Sequence, residues 1–508
     1  MLLQLCGEGL SIESLQAIAV EGVKVALAPE AIERIQRCRS FIEAKMASGA
    51  TMYGVNTGVG DLSEVRLSEG DVKDFQRHLI YTHAAGVGTP FPSAWVRAAM
   101  VSRINVHAKG CSACRLEVPQ MLVDMLNRGV TPVVPRKGSV GACGDLAPMS
   151  HIALGMIGEG EALLDGVQMP AARALEKAGL VPLDLQARDG LAMINGANFL
   201  TAIGGLFVHQ ASSWLLHAEV AASMSLEALH ANLGPYDARI HELRGFAGSC
   251  LSAANLRRLL AGSELEDGTI PVRLQDAYSM RSTPQILGTL RDQLRWTRQQ
   301  VEIELNGLGD NPIFLADQDQ VLSGANFQGT PVSVPVDNAG SAVAMACVLS
   351  ERRLNRMLHP ALSNGLPAFL ASKPGLYSGL MIPQYTADML IAEQRILSTP
   401  AYIQSIPAAA DQEDFVSMGM NSSQKAMQIL ENAQQILAVE FMAATQALDF
   451  RKHRFGRGVA AAHASVRQIL DTFNDDRPVG PDIQTLAEVI QQGTILDAAE
   501  SEAGRLAR

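Results

Sequence analysis

The sequence predicts a mainly α protein, a long-helix bundle with a smaller, α-rich N-terminal domain carrying a glycine-rich loop. Three observations predict it. Ala, Leu, Gln, Glu and Met are plentiful between the loops, and these residue types favour helix. Beyond about residue 190, apolar residues recur at helical spacing over stretches of about twenty residues or more. Before that point the pattern breaks into shorter segments separated by turns. Residues 1–190 are accordingly assigned to an N-terminal domain containing the loop 137–148, and 191–508 to a central and C-terminal bundle. No internal repeat or low-complexity linker interrupts either part.

In chain order, residues 1–135 read as short helices and turns. The turn Tyr53-Gly54-Val55-Asn56-Thr57-Gly58-Val59-Gly60 has glycine spacing that resembles a phosphate loop. It lacks the Lys-Ser/Thr pair and a preceding strand, so nucleotide binding does not follow. Cys111-Ser112-Ala113-Cys114 is a lone CxxC with no second pair, read as helix packing. The loop 137–148 runs into an apolar helical pattern. Further on, Ile286, Leu290, Leu294, Val301 and Leu305 keep one helical face, ended by the stop signal Asn306-Gly307-Leu308-Gly309-Asp310-Asn311-Pro312. Residues 338–358 are helical in character. Met427, Leu430, Leu437, Phe441, Ala444 and Leu448 trace another face. Helices this long must bury their seams against neighbours, within one subunit or between subunits.

The bulk properties narrow the function classes. A chain of 508 residues makes roughly two to four average domains or one interlocked unit. The formal charge of −11 is spread along the chain with no Lys/Arg run, which argues against nucleic acid and anionic membrane surfaces as partners. The N-terminal Met1-Leu2-Leu3-Gln4-Leu5-Cys6 has no basic region or long apolar core, so it does not read as a leader. No uninterrupted apolar stretch is long enough to span a bilayer. Seven scattered cysteines are unlike a disulfide framework and point to a reducing, cytoplasmic compartment. No metal site is expected.

The chemistry concentrates in Lys137-Gly138-Ser139-Val140-Gly141-Ala142-Cys143-Gly144-Asp145-Leu146-Ala147-Pro148. In an Ala-Xaa-Gly tripeptide, the glycine nitrogen can attack the alanine carbonyl and close a five-membered ring with loss of water. Gly144 suits the attack because it has no Cβ and tolerates strained dihedrals. β-Elimination from a middle Ser or Cys then leaves an exocyclic methylene, an electrophile that no side chain supplies. Read alone, Cys143 is equally an ordinary thiol, buried or weakly reactive.

This loop resembles the prosthetic-group loop of the aromatic amino acid ammonia-lyases, and the likeness extends over almost the whole chain. In that family Ala-Ser-Gly becomes 4-methylidene-imidazol-5-one. The resemblance implies the same ring here, formed autocatalytically from Ala142, Cys143 and Gly144, with no diffusible cofactor. Cys143 replaces the usual serine, so hydrogen sulfide would leave where water does. The helical fumarase and aspartase superfamily also eliminates across a C–C bond, but its Gly-Ser-Ser-x-Met-Pro-x-Lys-x-Asn signature is absent.

The resemblance also implies site residues. Tyr53 matches the position that removes the β-proton; a phenol in that role needs a lowered pKa. Gln275-Asp276-Ala277-Tyr278-Ser279-Met280-Arg281-Ser282-Thr283-Pro284-Gln285 resembles the family's Tyr-Ser-x-Arg-x-x-Pro-Gln segment. There Arg281 would grip the substrate carboxylate, and Tyr278 would act as an acid or base helper beside the ring. Asn195 would bind the ring oxygen and the carboxylate, and Phe327 would pack against ring or substrate. Taken singly, Tyr53 reads as a half-buried structural tyrosine, Arg281 as a capping or surface arginine, Asn195 as a turn amide and Phe327 as a core aromatic. Asp310-Asn311-Pro312 matches a family turn read as structural, and Asp476-Arg477 followed by Pro481-Asp482-Ile483 resembles the histidine branch.

Substrate choice turns on two segments. Thr82-His83 occupies the selectivity position, where the histidine branch has Ser-His, the phenylalanine branch Phe-Leu and the tyrosine branch His-Leu. In Gln412-Glu413-Asp414, Glu413 matches the acid of the histidine branch; a carboxylate can pair with an imidazole but is left unpaired by a phenyl ring. Met381 also resembles the histidine branch. Against this, Gln328 follows Phe327 where the histidine branch has His, Asp411 replaces Asn and Phe415 replaces His.

The reading is therefore an ammonia-lyase converting L-histidine to trans-urocanate. Open alternatives are a lyase or 2,3-aminomutase acting on tyrosine, phenylalanine or another aromatic or imidazole amino acid, and an inert helical scaffold. The resemblance implies a homotetramer with active sites drawing on three subunits.

Overall fold

The computed structural model describes residues 2–68 and 70–508; Met1, the first residue of the N-terminal run read above as no leader, and Glu69 lie outside them. Nineteen α-helices and four small sheets are present among the described residues, which bears out the mainly α expectation. The chain forms two compact units, and four of the five chain positions at which it passes from one to the other fall inside long helices: Asn198–Ala228, Thr283–Leu305, Thr330–Leu358 and Gly419–Asp449; the fifth follows Thr399.

The first unit comprises Met1–His209, Thr297–Asp337 and Pro400–Gln424, so the region holding loop 137–148 is continued by two later segments. It holds all four sheets. Leu2–Leu5 pairs in parallel with Lys24–Leu27, and Val87–Pro90 pairs antiparallel with Pro135–Lys137. Thr131–Pro132, Glu161–Leu164 and Val167–Pro170 form a three-stranded sheet, and Ile313–Leu315 pairs with Gln320–Leu322. Its first helix, Ile12–Ala19, starts at Ser11, whose hydroxyl accepts the Ser14 N–H. The helix Ser93–Ala108 is buried almost all round, as a central core helix should be.

The CxxC segment is not helical. It lies in the connection between Ser93–Ala108 and Glu117–Asn127, because Gly110 (φ +71°) and Ala113 (φ +57°) turn the chain out of helix. All seven cysteines are free.

The second unit, Gln210–Trp296, Asn338–Thr399 and Lys425–Arg508, has no strand among its described residues. The expected face of Gly419–Asp449 is buried throughout: Met427, Leu430, Leu437, Phe441, Ala444 and Leu448 are all at most 4% exposed. Each large apolar side chain so buried contributes about 1.5–3 kcal/mol. Several buried polar groups are paired. Glu440 accepts from Arg353 at 2.6 Å, Glu219 accepts from Arg291 at 2.7 Å, and the Trp214 indole donates to the Ala433 carbonyl. On the face expected for Thr283–Leu305, Leu290, Leu294, Val301 and Leu305 are buried while Ile286 is only half-buried.

Asn198–Ala228 and Thr330–Leu358 have the length and mean hydropathy of a bilayer span, although neither is uninterruptedly apolar. Both bury most of their apolar window inside the protein, 78% and 67% respectively, so a core role accounts for their composition.

Candidate active site

The glycine-rich loop is shaped by two close backbone approaches. The Gly144 N–H donates to the Gly141 carbonyl, closing a tight turn around Ala142 and Cys143. Cys143 adopts φ +52° and Gly144 φ +88°; the left-handed conformation costs a non-glycine residue about 1–2 kcal/mol. The loop is pinned to the turn at Asn195-Gly196. The Gly196 N–H donates to the Cys143 carbonyl at 3.1 Å, and the Asp145 N–H donates to the Gly196 carbonyl at 2.9 Å. The helix Leu146–Met156 follows at once, with Pro148 in its first turn, where a missing N–H costs nothing.

Asp145 does not cap its own helix. Its carboxylate accepts the Leu200 N–H at 2.8 Å, serving the start of Asn198–Ala228 instead. Burial pushes its carboxyl up to about 7, against the opposing N–H groups of Leu200 and Phe199 and the Ser139 hydroxyl. Glu304 is likewise raised to about 7, by burial and then by the Asp145 charge.

Cys143 opens into a cavity of about 460 Å³ whose lining includes Tyr53, Thr82, His83, Asn195 and Glu413. A second cavity of about 310 Å³ shares Tyr53, Cys143 and Glu413 and adds Phe327 and Gln412. The Cys143 thiol donates to Glu413 Oε1 at 2.9 Å. Burial, then this carboxylate, pushes the thiol well above its ordinary value. Glu413 is presented by a tight loop: Ala408 and Glu413 exchange two backbone hydrogen bonds, and Ala409, Ala410 and Asp411 all have φ between +49° and +64°.

The Tyr53 hydroxyl accepts the Gly60 N–H at 3.1 Å. The expected lowered pKa is not found. Burial raises the phenol above 10, the nearby Cys143 and Glu413 add to the rise, and the Gly60 N–H only partly offsets it. Thr82 and His83 end the helix Asp71–His83. His83 Nδ1 lies 2.8 Å from the Leu79 carbonyl, an acceptor only, so that nitrogen carries a proton and donates it there.

Asn195 is buried, donates Nδ2–H to the Asn311 carbonyl at 2.6 Å and leaves Oδ1 unpaired. Its backbone is held from below. Arg103 donates to the Asn195 carbonyl at 2.8 Å and pairs with Asp310 at 3.2 Å; Arg188 pairs with the other Asp310 oxygen at 2.8 Å and donates to the Asn311 carbonyl at 3.1 Å. All three charged side chains are fully buried. No local sequence pattern marks this network, and Asn311, in a turn expected to be structural, lines both cavities. Phe75, His78 and Leu79 also line the larger one, at helical spacing before Thr82, a periodicity legible from the sequence.

The first unit thus brings together Tyr53, Thr82, His83, Cys143, Asn195, Phe327, Gln412 and Glu413, with Ala142 and Gly144 flanking the thiol. Tyr278 and Arg281 belong to the second unit and line neither cavity. There the Arg281 guanidinium sits 4.7 Å from the Tyr278 ring centre, and Tyr278 is 71% exposed.

These residues fit a ring made from the loop itself. The turn folds Gly144 back around Ala142 and Cys143, and a Cβ on Gly144 would lie only 2.2 Å from the Gly196 carbonyl carbon. The Gly196 N–H already donates to the Cys143 carbonyl, the oxygen such a ring would retain, and the buried Asn195 precedes Gly196 in the chain.

Comparison with known proteins agrees with this geometry. The aromatic amino acid lyase profile matches residues 10–468. The chain is 43% identical over 497 residues to histidine ammonia-lyase of Myxococcus xanthus (strain DK1622), covering 97% of this chain and 98% of that protein. Among solved structures it is similar to tyrosine aminomutase from Streptomyces globisporus, with a TM-score of 0.95, 36% identity and full coverage of both chains. It is also similar to histidine ammonia-lyase from Trypanosoma cruzi, with a TM-score of 0.92 and 34% identity over 99% of this chain and 95% of that one. The chain belongs to the aromatic amino acid lyase family and is a carbon–nitrogen lyase.

Proposed function

We propose that this enzyme eliminates ammonia from L-histidine to give trans-urocanate, using 4-methylidene-imidazol-5-one formed from Ala142, Cys143 and Gly144. The observation that carries the choice of substrate is the polar side of the cavity, where Thr82, His83 and Glu413 share one space. The Glu413 carboxylate can accept the N–H of an imidazole side chain, and the Thr82–His83 pair offers a polar partner to its other nitrogen. A phenyl ring would leave both unpaired, which costs a site of this kind several kcal/mol of discrimination.

The ring supplies an electrophilic methylene carbon that activates the substrate toward loss of ammonia. Ala142, Cys143 and Gly144 provide its atoms, and the Gly196 backbone and Asn195 hold it. In this reading Tyr53 removes the β-proton. Burial keeps the phenol protonated at neutral pH, so the base is the minor phenolate fraction that has given its proton to solvent, stabilised by the Gly60 N–H. Phe327 and Gln412 close the second side of the cavity. Arg281 clamps the substrate carboxylate and Tyr278 assists proton transfer, supplied by a neighbouring subunit of a homotetramer. The exposure of Tyr278 supports that assignment. The free, scattered cysteines support a cytoplasmic setting.

A second reading is a tyrosine 2,3-aminomutase, favoured by the likeness to the Streptomyces globisporus structure. Incubation with L-histidine, L-tyrosine and L-phenylalanine separates the two. Ultraviolet absorbance of urocanate with histidine alone is expected; a β-amino acid product from tyrosine overturns the proposal.

A further inference from the structure

Glu413 is the nearest polar partner of the sulfur that must leave, and nothing in a catalytic role for Glu413 requires that contact. The thiol donates to Glu413 Oε1 at 2.9 Å, while the backbone of Glu413 is fixed by its two hydrogen bonds to Ala408. The residues between them, Ala409 to Asp411, all occupy the left-handed region, so the carboxylate stands on a stiff loop. Building the ring on the proposed reading, we infer that Glu413 is a positioning residue for its maturation: its carboxylate holds the Cys143 sulfur as a neutral thiol with its C–S bond directed into the cavity.

Protonation of the sulfur decides whether it can leave. Ring closure forms the bond from Gly144 N to the Ala142 carbonyl carbon and expels one water. Elimination then breaks the Cys143 Cα–H and Cβ–Sγ bonds and forms the Cα=Cβ double bond. From a thiol the departing species is hydrosulfide, which takes up the proton lost from Cα and leaves as hydrogen sulfide. From a thiolate it would have to be the sulfide dianion, a far worse leaving group. A neighbouring carboxylate disfavours the thiolate and accepts the S–H in a charge-assisted hydrogen bond. It also orders the events at this residue. Before maturation the carboxylate is engaged by the thiol; once the sulfur has gone, it is free to meet the substrate side chain.

An amide in place of the carboxylate can turn its N–H toward the sulfur and stabilise the thiolate instead. Serine at 143 does not ionise, so it should not need the negative charge. The experiment follows maturation of the full chain, not turnover, at successive times after a pulse of synthesis. Intact mass reports loss of one water and one hydrogen sulfide, and thiol titration under denaturing conditions reports one thiol fewer than the seven of the sequence. For Glu413→Gln we expect maturation about tenfold slower than in the parent chain. Cys143→Ser and the double variant Cys143→Ser/Glu413→Gln should mature alike, each losing two waters. Maturation of Glu413→Gln at the parental rate overturns the inference. So does equal stalling of Glu413→Gln and the double variant, which would make Glu413 a support of the loop in general. If the parent chain itself keeps its full mass and seven thiols, the ring proposal falls and the inference with it.

Discussion

Gly144 and Gly196 lie back to back, so close that a Cβ on Gly144 would stand 2.2 Å from the Gly196 carbonyl carbon. The approach joins the reactive loop to the Asn195 turn, and both glycines have positive φ, +88° and +145°. Substituting Gly144→Ala should destabilise the fold by more than about 1 kcal/mol and leave the chain at its full mass. Chemical denaturation with intact mass spectrometry checks both; a stable, fully matured Gly144→Ala protein contradicts the account.

Tyr53 carries the second prediction. Tyr53→Phe should leave maturation intact and lower kcat by roughly 10²–10⁴-fold, the usual worth of a positioned base. Because burial raises the phenol above 10, the ionised fraction grows with pH, and kcat/KM should climb on the alkaline side. That slope should be absent in Tyr53→Phe. A parental pH profile in the variant would remove Tyr53 from the role.

Stability should depend on pH through Asp145 and Glu304. Each carboxyl holds its proton more tightly folded than unfolded, rising from 3.8 and 4.5 respectively to about 7. Their contribution is therefore complete below the unfolded values and is lost as pH rises through about 7. Glu304→Gln should stabilise the protein by roughly 2–3 kcal/mol at pH 8 and change little at pH 4. Urea denaturation at the two pH values tests this, and an equal effect at both contradicts it.

Asp310 neutralises two buried guanidinium groups beneath the site. Asp310→Asn leaves Arg103 and Arg188 without their carboxylate and should cost about 3–5 kcal/mol. A loss below about 1 kcal/mol would mean that the backbone carbonyls alone satisfy both arginines.

His83→Leu tests selectivity. It should lower kcat/KM for L-histidine relative to L-phenylalanine by about 10–200-fold. An unchanged ratio would place side-chain recognition elsewhere in the cavity.

The long helices were legible because their apolar spacing is local: Met427 to Leu448 form one face and are buried as one. The loop 137–148 stands out in the sequence because the chemistry proposed for it resides in three consecutive residues. The contact of Cys143 with Glu413 spans 270 positions, and no local pattern encodes it. Arg103 and Arg188 look like ordinary surface charges in sequence, since only tertiary packing shows that Asp310 lies between them. The direction of the Tyr53 shift is hidden from the sequence for a related reason. A chemical role suggests a lowered value, but the value is set by burial and by the Glu413 charge, neither visible in the Tyr53–Gly60 turn.

The most direct test of the account is the intact mass of the purified chain while it turns over L-histidine. A chain lighter than its sequence by one water and one hydrogen sulfide, producing urocanate, is the predicted result. Turnover by a chain of full, unmodified mass would contradict it.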